Sequence, residues 1–145
     1  GQMINQAGGH NVIESDMQVE DSDYADAEAV INSNPDVVIK TVYRDQKDGI
    51  MADNYLPPEE ADYIFAKEEM KAREGFSKMK AIEDDNIIMC SDFCLRGGGN
   101  TVGLAFFAKW LHPDLFEDFD AYEIFDQWMT EFQNMDAIEG HVYEG

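Results

Sequence analysis

Basic residues are scarce in this 145-residue chain. Ten lysines and arginines stand against 31 aspartates and glutamates, which gives a formal net charge of −21. Because proteins bind nucleic-acid phosphates and anionic lipid head groups through lysine and arginine, we expect no nucleic-acid partner. The excess of acid predicts a heavily solvated acidic surface, and the alternative is selective binding of a cationic ligand.

Cysteine and histidine are also rare, with two and three residues respectively. Cys90 and Cys94 lie four positions apart, which fits free buried thiols as well as a local disulfide. No CxxC or HxxxH spacing supports a zinc site, and none of His10, His112 and His141 lies in the sequence setting of a catalytic triad. We therefore expect no metal centre and no cofactor, and the sequence gives little support for nucleophilic catalysis.

Long apolar runs are absent. No stretch reaches the roughly 18 to 20 apolar residues of a membrane span. The opening GQMINQAGG has neither the basic start nor the apolar segment of a signal peptide. It resembles the end of a helix that Gly8 and Gly9 stop, so we interpret Gly1 as an internal position of a longer chain.

What the sequence does contain is an alternation of strand and helix patterns. Apolar and β-branched runs predict strands at 11–14, 36–43 and 87–90. Apolar periodicity and helix-start residues predict helices at 25–32, 58–73, 101–111 and 121–135. The other segments predict a long loop at 44–58, a connection at 76–86 and a loose tail at 136–145. This order predicts a single α/β domain over residues 1–145, with a small, mainly parallel sheet between helical layers.

Apolar side chains at helical spacing predict which helix faces enter the core. The predicted core positions are Ile64, Phe65 and Met70; Leu104, Phe107, Ala108 and Leu111; and Ile124, Phe125, Trp128, Met129 and Phe132. We interpret two groups of aromatic residues as core and not as a cofactor site: Phe106, Phe107 and Trp110, and Trp128 and Phe132.

The run CLRGGGNTVG, from Cys94 to Gly103, places three glycines before a predicted helix, an arrangement that can hold a phosphate. It matches neither GxxxxGK[ST] nor GxGxxG, and no lysine follows at the P-loop position. The favoured interpretation is a tight turn, with Asn100 or Thr101 capping the helix. A ligand-facing loop stays open, and a flavodoxin-like or nucleotide-binding protein that uses Gly97–Gly99 is the alternative function.

Basic residues also follow two of the predicted strands. Arg44 comes directly after VVIKTVY, and Arg96 lies in the loop after IIMC. Because ligands of open α/β sheets bind where loops leave the carboxyl ends of strands, one shared rim is predicted for Tyr43, Arg44, Asp92, Phe93 and Arg96. Two guanidiniums in so acidic a protein would attract anionic ligand groups, and the alternative is that they pair with local acids.

Four stretches in chain order span residues 3–135: INQAGGHNVIE, DAEAVINSNPDVVI, GFSKMKAIEDDNIIM and GLAFFAKWLHPDLF. Together they resemble the C-terminal lobe of ABC-importer substrate-binding proteins for ferric siderophores, haem and cobalamin, the type whose two lobes are joined by a rigid helix. The long loop 44–58 and the run CLRGGGN depart from this pattern, since family members usually carry shorter loops there.

The resemblance implies a three-layer α/β lobe, one half of a two-lobe receptor, whose opening helix fragment ends the interlobe helix region. It implies a non-enzymatic, extracytoplasmic protein that delivers an iron chelate, haem or cobalamin-like ligand to an ABC permease. The N-terminal lobe and any export signal or membrane anchor would lie outside this chain. Glu28 matches the glutamate that docks into an arginine pocket of the permease. The alternative for Glu28 is a helix N-terminal acid that interacts with the dipole.

Overall fold

The fold is described from a computed structural model, over residues 2–15, 25–45, 56–96 and 98–144. Its helices and strands are α1 (Gln2–Gln6), α2 (Val12–Ser15), α3 (Ala27–Ser33), β1 (Val38–Val42), α4 (Glu60–Ala72), α5 (Lys80–Glu83), β2 (Ile87–Ser91), α6 (Gly99–Leu111), α7 (Ala121–Gln127) and β3 (Val142–Tyr143). A π-helix, Trp128–Gln133, continues α7, and 3-10 turns occupy Phe76–Lys78, Asp92–Leu95 and Pro113–Leu115. No helix in these ranges has the length and apolar character needed to cross a membrane.

β2 lies in the middle of a three-stranded sheet with the order β1-β2-β3. β1 runs parallel to β2, with Val38 opposite Ile87, and β3 runs antiparallel to β2, with Tyr143 opposite Met89. Parallel neighbours need a crossover connection, and here α4 and α5 supply it. The predicted α/β fold with a small, mainly parallel sheet is confirmed.

Successive strand residues point to opposite sides of the sheet, and both sides carry buried side chains. Helices therefore cover both faces. On one face, Met89 joins a buried cluster with Tyr63 and Met70 of α4. On the other face, Cys90 joins a cluster with Phe107 of α6 and Ala7, the residue after α1. The arrangement is a three-layer sandwich of helices, sheet and helices.

Polar caps set the starts of two helices. Asp26 caps α3 by accepting a hydrogen bond from Ala29 N at 3.0 Å, and Asn34 ends that helix in the left-handed region at φ 46°. Glu59 and Asp62 form a reciprocal capping box at the start of α4. Both helices therefore begin within two residues of their predicted starts.

The buried face of α4 differs from the prediction. Ile64 and Phe65 are 46% and 41% exposed, so these two predicted core positions are wrong, while Tyr63 is 2% exposed. Tyr63 occupies the core because its hydroxyl donates to Gly140 O at 2.8 Å and its ring stacks on Tyr143 with centroids 5.1 Å apart. A partner distant in sequence thus decides which face is buried.

Two further local predictions are wrong. Residues 12–15 form the helical turn α2 and not a strand, and Asn11 Oδ1 accepts a hydrogen bond from Ile13 N at 3.3 Å at its start. A run as short as NVIE carries too few residues for periodicity to separate the two structures. The predicted connection 76–86 contains a 3-10 turn and α5, which follow Gly75 in its left-handed conformation at φ 83°.

The predicted loose tail 136–145 is wrong at residues 141–143. His141 is 4% exposed, and its carbonyl accepts a hydrogen bond from Ser91 N at 2.8 Å. Val142 and Tyr143 then form β3 on the free edge of β2. The tail is ordered by pairing backbone groups that β2 would otherwise leave open.

The helices after the glycine run also depart from prediction at their ends. α6 begins at Gly99 with Gly98 as its N-cap and no side-chain cap, so the predicted caps Asn100 and Thr101 are wrong. Phe107 is buried as predicted, whereas Phe132 is 71% exposed because α7 changes to a π-helix before it. Met129, at the start of the π-helix, stays buried as predicted, and the wider helix turns Phe132 away from the predicted face.

Candidate functional site

A cleft of about 590 Å³ opens beside the carboxyl end of β2. Three structural pieces form it: the 3-10 turn that follows β2, the start of α6, and the π-helix with the segment after it. We call it the β2 cleft, and it is lined by Asp92, Phe93, Arg96, Gly98, Gly99, Trp128, Met129, Gln133, Met135 and His141. This is the end of the sheet at which α/β proteins bind ligands.

The glycines beside the cleft are required by close packing. A Cβ on Gly98 would lie 2.5 Å from Trp128 Cζ2, and a Cβ on Gly99 would overlap the carbonyl oxygen of Phe93. Gly103, one turn further along α6, would overlap the carbonyl oxygen of Cys94 in the same way. Side chains at Gly99 and Gly103 would push α6 off the preceding turn, and one at Gly98 would displace Trp128. This close packing supports the packed-turn interpretation of the run.

Aromatic rings form one wall of the cleft. Phe93 is the central ring, with its centroid 5.9 Å from Trp128 and 4.4 Å from the imidazole of His141. The π-helix carries Trp128 and Met129 into this wall, and short π-helical segments are frequent at functional sites. The wall offers a flat, polarisable surface to an apolar part of a ligand.

His141 is the buried titratable group of this wall. Its Nδ1 lies 2.7 Å from Ser91 Oγ, which fixes the ring orientation. Burial lowers its pKa to about 4, so the imidazole is neutral at physiological pH. A neutral ring adds no positive charge to the cleft.

Asp92 and Arg96 form an ion pair at the cleft mouth. Arg96 Nε lies 2.5 Å from Asp92 Oδ2; the arginine side chain is 72% exposed and the aspartate side chain 6% exposed. Oδ2 accepts no hydrogen bond in the described part of the chain, so its contact with the guanidinium is an ion pair only. Asp92 is therefore charge-paired but short of a hydrogen-bond donor.

Three of the five predicted rim residues line the β2 cleft: Asp92, Phe93 and Arg96. Tyr43 and Arg44 follow β1 and are not among the lining residues. Arg44 instead donates hydrogen bonds to Glu59 Oε1 at 3.0 Å and to the carbonyl of Pro57 at 3.1 Å. This pairing matches the alternative in which the guanidiniums bind local acids.

Sequence reasoning missed the lining residues that come from the C-terminal segment, notably Trp128, Met129 and His141. Helical spacing predicts that the two on the last helix lie in the core, and the sequence predicts a loose tail at the histidine. A signal for them would have required the position of the π-helix and of β3, both of which depend on tertiary packing.

Cys90 and Cys94 are both free and both buried, which answers the alternatives left open by their spacing. The hydrogen bond between the two thiols, together with burial, raises the pKa of Cys90. In the described ranges no three His, Cys, Asp or Glu side chains group in a way that could hold a metal ion.

No protein-family model and no curated protein matches the sequence. Among solved structures, the chain is similar to the crystal structure of a TroA-like periplasmic binding protein, FepB, from Veillonella parvula. The TM-score is 0.81 at 19% identity, over 99% of this chain and 41% of that one. The chain has the fold of one lobe of a TroA-like binding protein. The fold implied by the sequence resemblance is thus confirmed, and the chain spans less than half the length of the protein it matches.

Proposed function

We propose that this chain is one lobe of the solute-binding component of an ABC importer and acts outside the cytoplasm. The observation that carries the proposal is the match of nearly the whole chain to part of a periplasmic binding protein. The β2 cleft supports it, because it lies at the carboxyl end of the sheet and is open on one side. A second lobe, absent from this chain, would close that side.

The ligand in this proposal is a metal chelate: a ferric siderophore, haem or a cobalamin-like compound. Such ligands combine a large apolar or ring surface with polar groups at its edge. The aromatic wall of Phe93 and Trp128 suits the first part, and Asp92, Arg96 and Gln133 at the same cleft suit the second. No step of bond making or breaking is needed, and the proposal is therefore a binding function.

Glu28 is proposed as the docking contact for the permease. It lies in the first turn of α3 and is exposed, beside a helix start that Asp26 caps. An exposed carboxylate held at a helix start can form a paired, charge-assisted hydrogen bond with an arginine of a partner. The lobe would thus use one end for the ligand and α3 for the transporter.

The experiment uses the full-length protein and measures chelate affinity and permease-dependent uptake together. Glu28→Arg should leave ligand affinity unchanged and lower uptake by about tenfold or more, since it reverses the charge of a docking contact. Glu60→Arg is the matched control, because Glu60 is also an exposed acid in a first helical turn, that of α4. Equal effects of the two substitutions would assign Glu28 to the helix dipole. Failure of every chelate to bind would remove the proposed function itself.

A further inference from the structure

The β2 cleft contains a buried carboxylate of which one oxygen is ion-paired but accepts no hydrogen bond in the described ranges. Asp92 is 5% exposed, and its Oδ2 accepts no hydrogen bond in the described ranges despite the nearby guanidinium. A buried acceptor without a donor is costly in free energy, because it has lost its water without replacement. Asp92 lines the cleft, so a ligand that carries a donor could complete it.

The guanidiniums of the predicted rim are already paired within the chain. Arg96 is paired with Asp92, and Arg44 is held by Glu59 and the carbonyl of Pro57. An anionic ligand would have to compete with these carboxylates for each arginine. The expectation that two arginines attract anionic ligand groups is therefore not supported by their contacts.

The remaining groups of the cleft add no positive charge. His141 is uncharged at neutral pH because its burial disfavours the imidazolium. Trp128, Met129, Gln133 and Met135 come from a segment of the chain that follows its last lysine or arginine, Lys109. Between that lysine and the end of the chain lie ten acidic residues.

The electrostatic field at the cleft is set by this distribution. The buried Asp92 contributes a negative charge inside the cleft, and the exposed Arg96 contributes a positive charge at its mouth. The C-terminal segment that supplies part of the lining carries acidic side chains and no lysine or arginine. Exposed charges act over about 8 Å at physiological ionic strength, and a cleft with apolar walls concentrates their field. A cationic ligand group can therefore pair with the carboxylate of Asp92 inside the cleft, where an anionic group would be repelled.

We infer that the β2 cleft takes a metal chelate of zero or positive net charge, which places an apolar face against Phe93 and Trp128 and donates a hydrogen bond from a hydroxyl, amide or ammonium group to Asp92. The inference rests on the proposed function and narrows its ligand class. Chelates that carry several ionised carboxylates or catecholates are disfavoured, and neutral or cationic chelates with amide, hydroxyl or amino groups are selected.

The test compares two ferric chelates of opposite charge on the full-length protein. Ferrioxamine B is a cationic trihydroxamate with a free ammonium group, and ferric enterobactin is an anionic tricatecholate. Binding is followed by quenching of tryptophan fluorescence, since Trp128 lines the cleft. We expect the cationic chelate to bind at least about tenfold more tightly, and its affinity to fall as NaCl is raised.

Three variants assign the effect to Asp92. Asp92→Asn keeps the shape but removes the charge, and it should weaken the cationic chelate by about tenfold or more. Arg96→Gln removes the guanidinium that competes with the ligand for Asp92 and should increase that affinity. Glu83→Gln, at an exposed acid at the end of α5, is the control and should have no effect. Circular dichroism checks that each variant is folded.

The outcomes distinguish a wrong ligand class from a wrong solute-binding function. Tighter binding of the anionic chelate, lost in Arg96→Gln, overturns the inference and leaves the solute-binding function standing. A preference for the cationic chelate that survives both Asp92→Asn and high salt overturns the role of Asp92. Absence of binding by both chelates, and also by haem and cobalamin, overturns the proposed function and this inference with it.

Discussion

Two segments of the molecule are both rich in acidic residues, and they differ in whether those acids form ion pairs. The ion-paired segment, residues 36–86, holds eight of the ten lysines and arginines, and five ion pairs lie within its described part. The acid-only segment, residues 110–144, has ten acidic residues and no lysine or arginine. The first segment neutralises part of its acidic charge with local ion pairs, and the second leaves its charge to solvent and salt.

The acid-only segment must therefore be stabilised by its apolar core. Its buried residues Ala121, Phe125 and Met129 form one cluster with Val102 and Phe106 of α6, the helix against which the segment packs. Phe106 is 1% exposed and packs edge-on against Tyr122 with ring centroids 4.9 Å apart. Because this segment also supplies half of the β2 cleft, the comparison predicts that cleft integrity depends on the core and on ionic strength.

The largest expected effect comes from removing the central ring of that core. Phe106→Ala should lower the free energy of unfolding by about 3–5 kcal/mol, measured by urea unfolding followed through tryptophan fluorescence. Added NaCl should restore part of the loss, because it screens the repulsion that the core opposes.

Met79→Ala is the matched change in the ion-paired segment, since Met79 is also 1% exposed and belongs to the other main cluster. It should lower the free energy of unfolding by about 2–5 kcal/mol, and added NaCl should restore little of that loss. Leu115→Ala, at a residue 78% exposed, should change stability by less than about 0.5 kcal/mol. If salt restores both core variants equally, the distinction between the two segments is lost.

Some features of the fold have local sequence signals, and others depend on contacts between residues far apart in the chain. β1, α4 and β2 were predicted because their signals are local: β-branched runs, a proline and acids before the helix, and glycine after it. The buried face of α4 was not predicted, since Tyr63 is selected by Gly140 and Tyr143, more than 70 residues away in sequence. Local patterns determine which segments form helices and strands. Contacts with residues distant in sequence determine which face of α4 is buried.

The residues that line the β2 cleft also fall into two groups, those that the sequence predicts and those that it does not. Asp92, Phe93 and Arg96 were predicted from their place after a strand, a rule that needs only the order of elements. Trp128 and His141 reached the cleft through the π-helix and β3, which neither helical periodicity nor composition indicates. The ion pair between Asp92 and Arg96, which changes the expected ligand charge, is visible only in three dimensions.

An intermediate effect is expected from pH at His141 in the acid-only segment. Its pKa is about 4 in the folded protein against an ordinary value of 6.5, because burial disfavours the charged ring. The unfolded chain binds the proton first as pH falls, so stability is full above about pH 7 and is lost between about pH 6.5 and 4. Between pH 7.5 and 4.5, the free energy of unfolding of the wild-type protein should fall by about 2 kcal/mol more than that of His141→Gln. Urea unfolding at the two pH values measures both.

Carboxylate protonation acts on the wild-type protein and on His141→Gln alike, so the difference between the two isolates the imidazole. The variant keeps a polar group near Ser91 and removes only the titration. Equal pH dependence in both proteins would show that His141 exchanges its proton freely with solvent and does not lie in the aromatic wall.

The smallest effect is expected in the ion-paired segment, at the carboxylate that Lys67 and Lys71 share. Asp85 accepts both ammonium groups, at 2.9 and 2.7 Å, and these hydrogen bonds lower its pKa. It is about half exposed and lies in the left-handed region at φ 56°, which asparagine also tolerates. Asp85→Asn should therefore cost less than about 1 kcal/mol at low salt, and the cost should vanish in 1 M NaCl. A loss that persists in high salt would mean that this segment, like the acid-only one, is held by packing and not by its ion pairs.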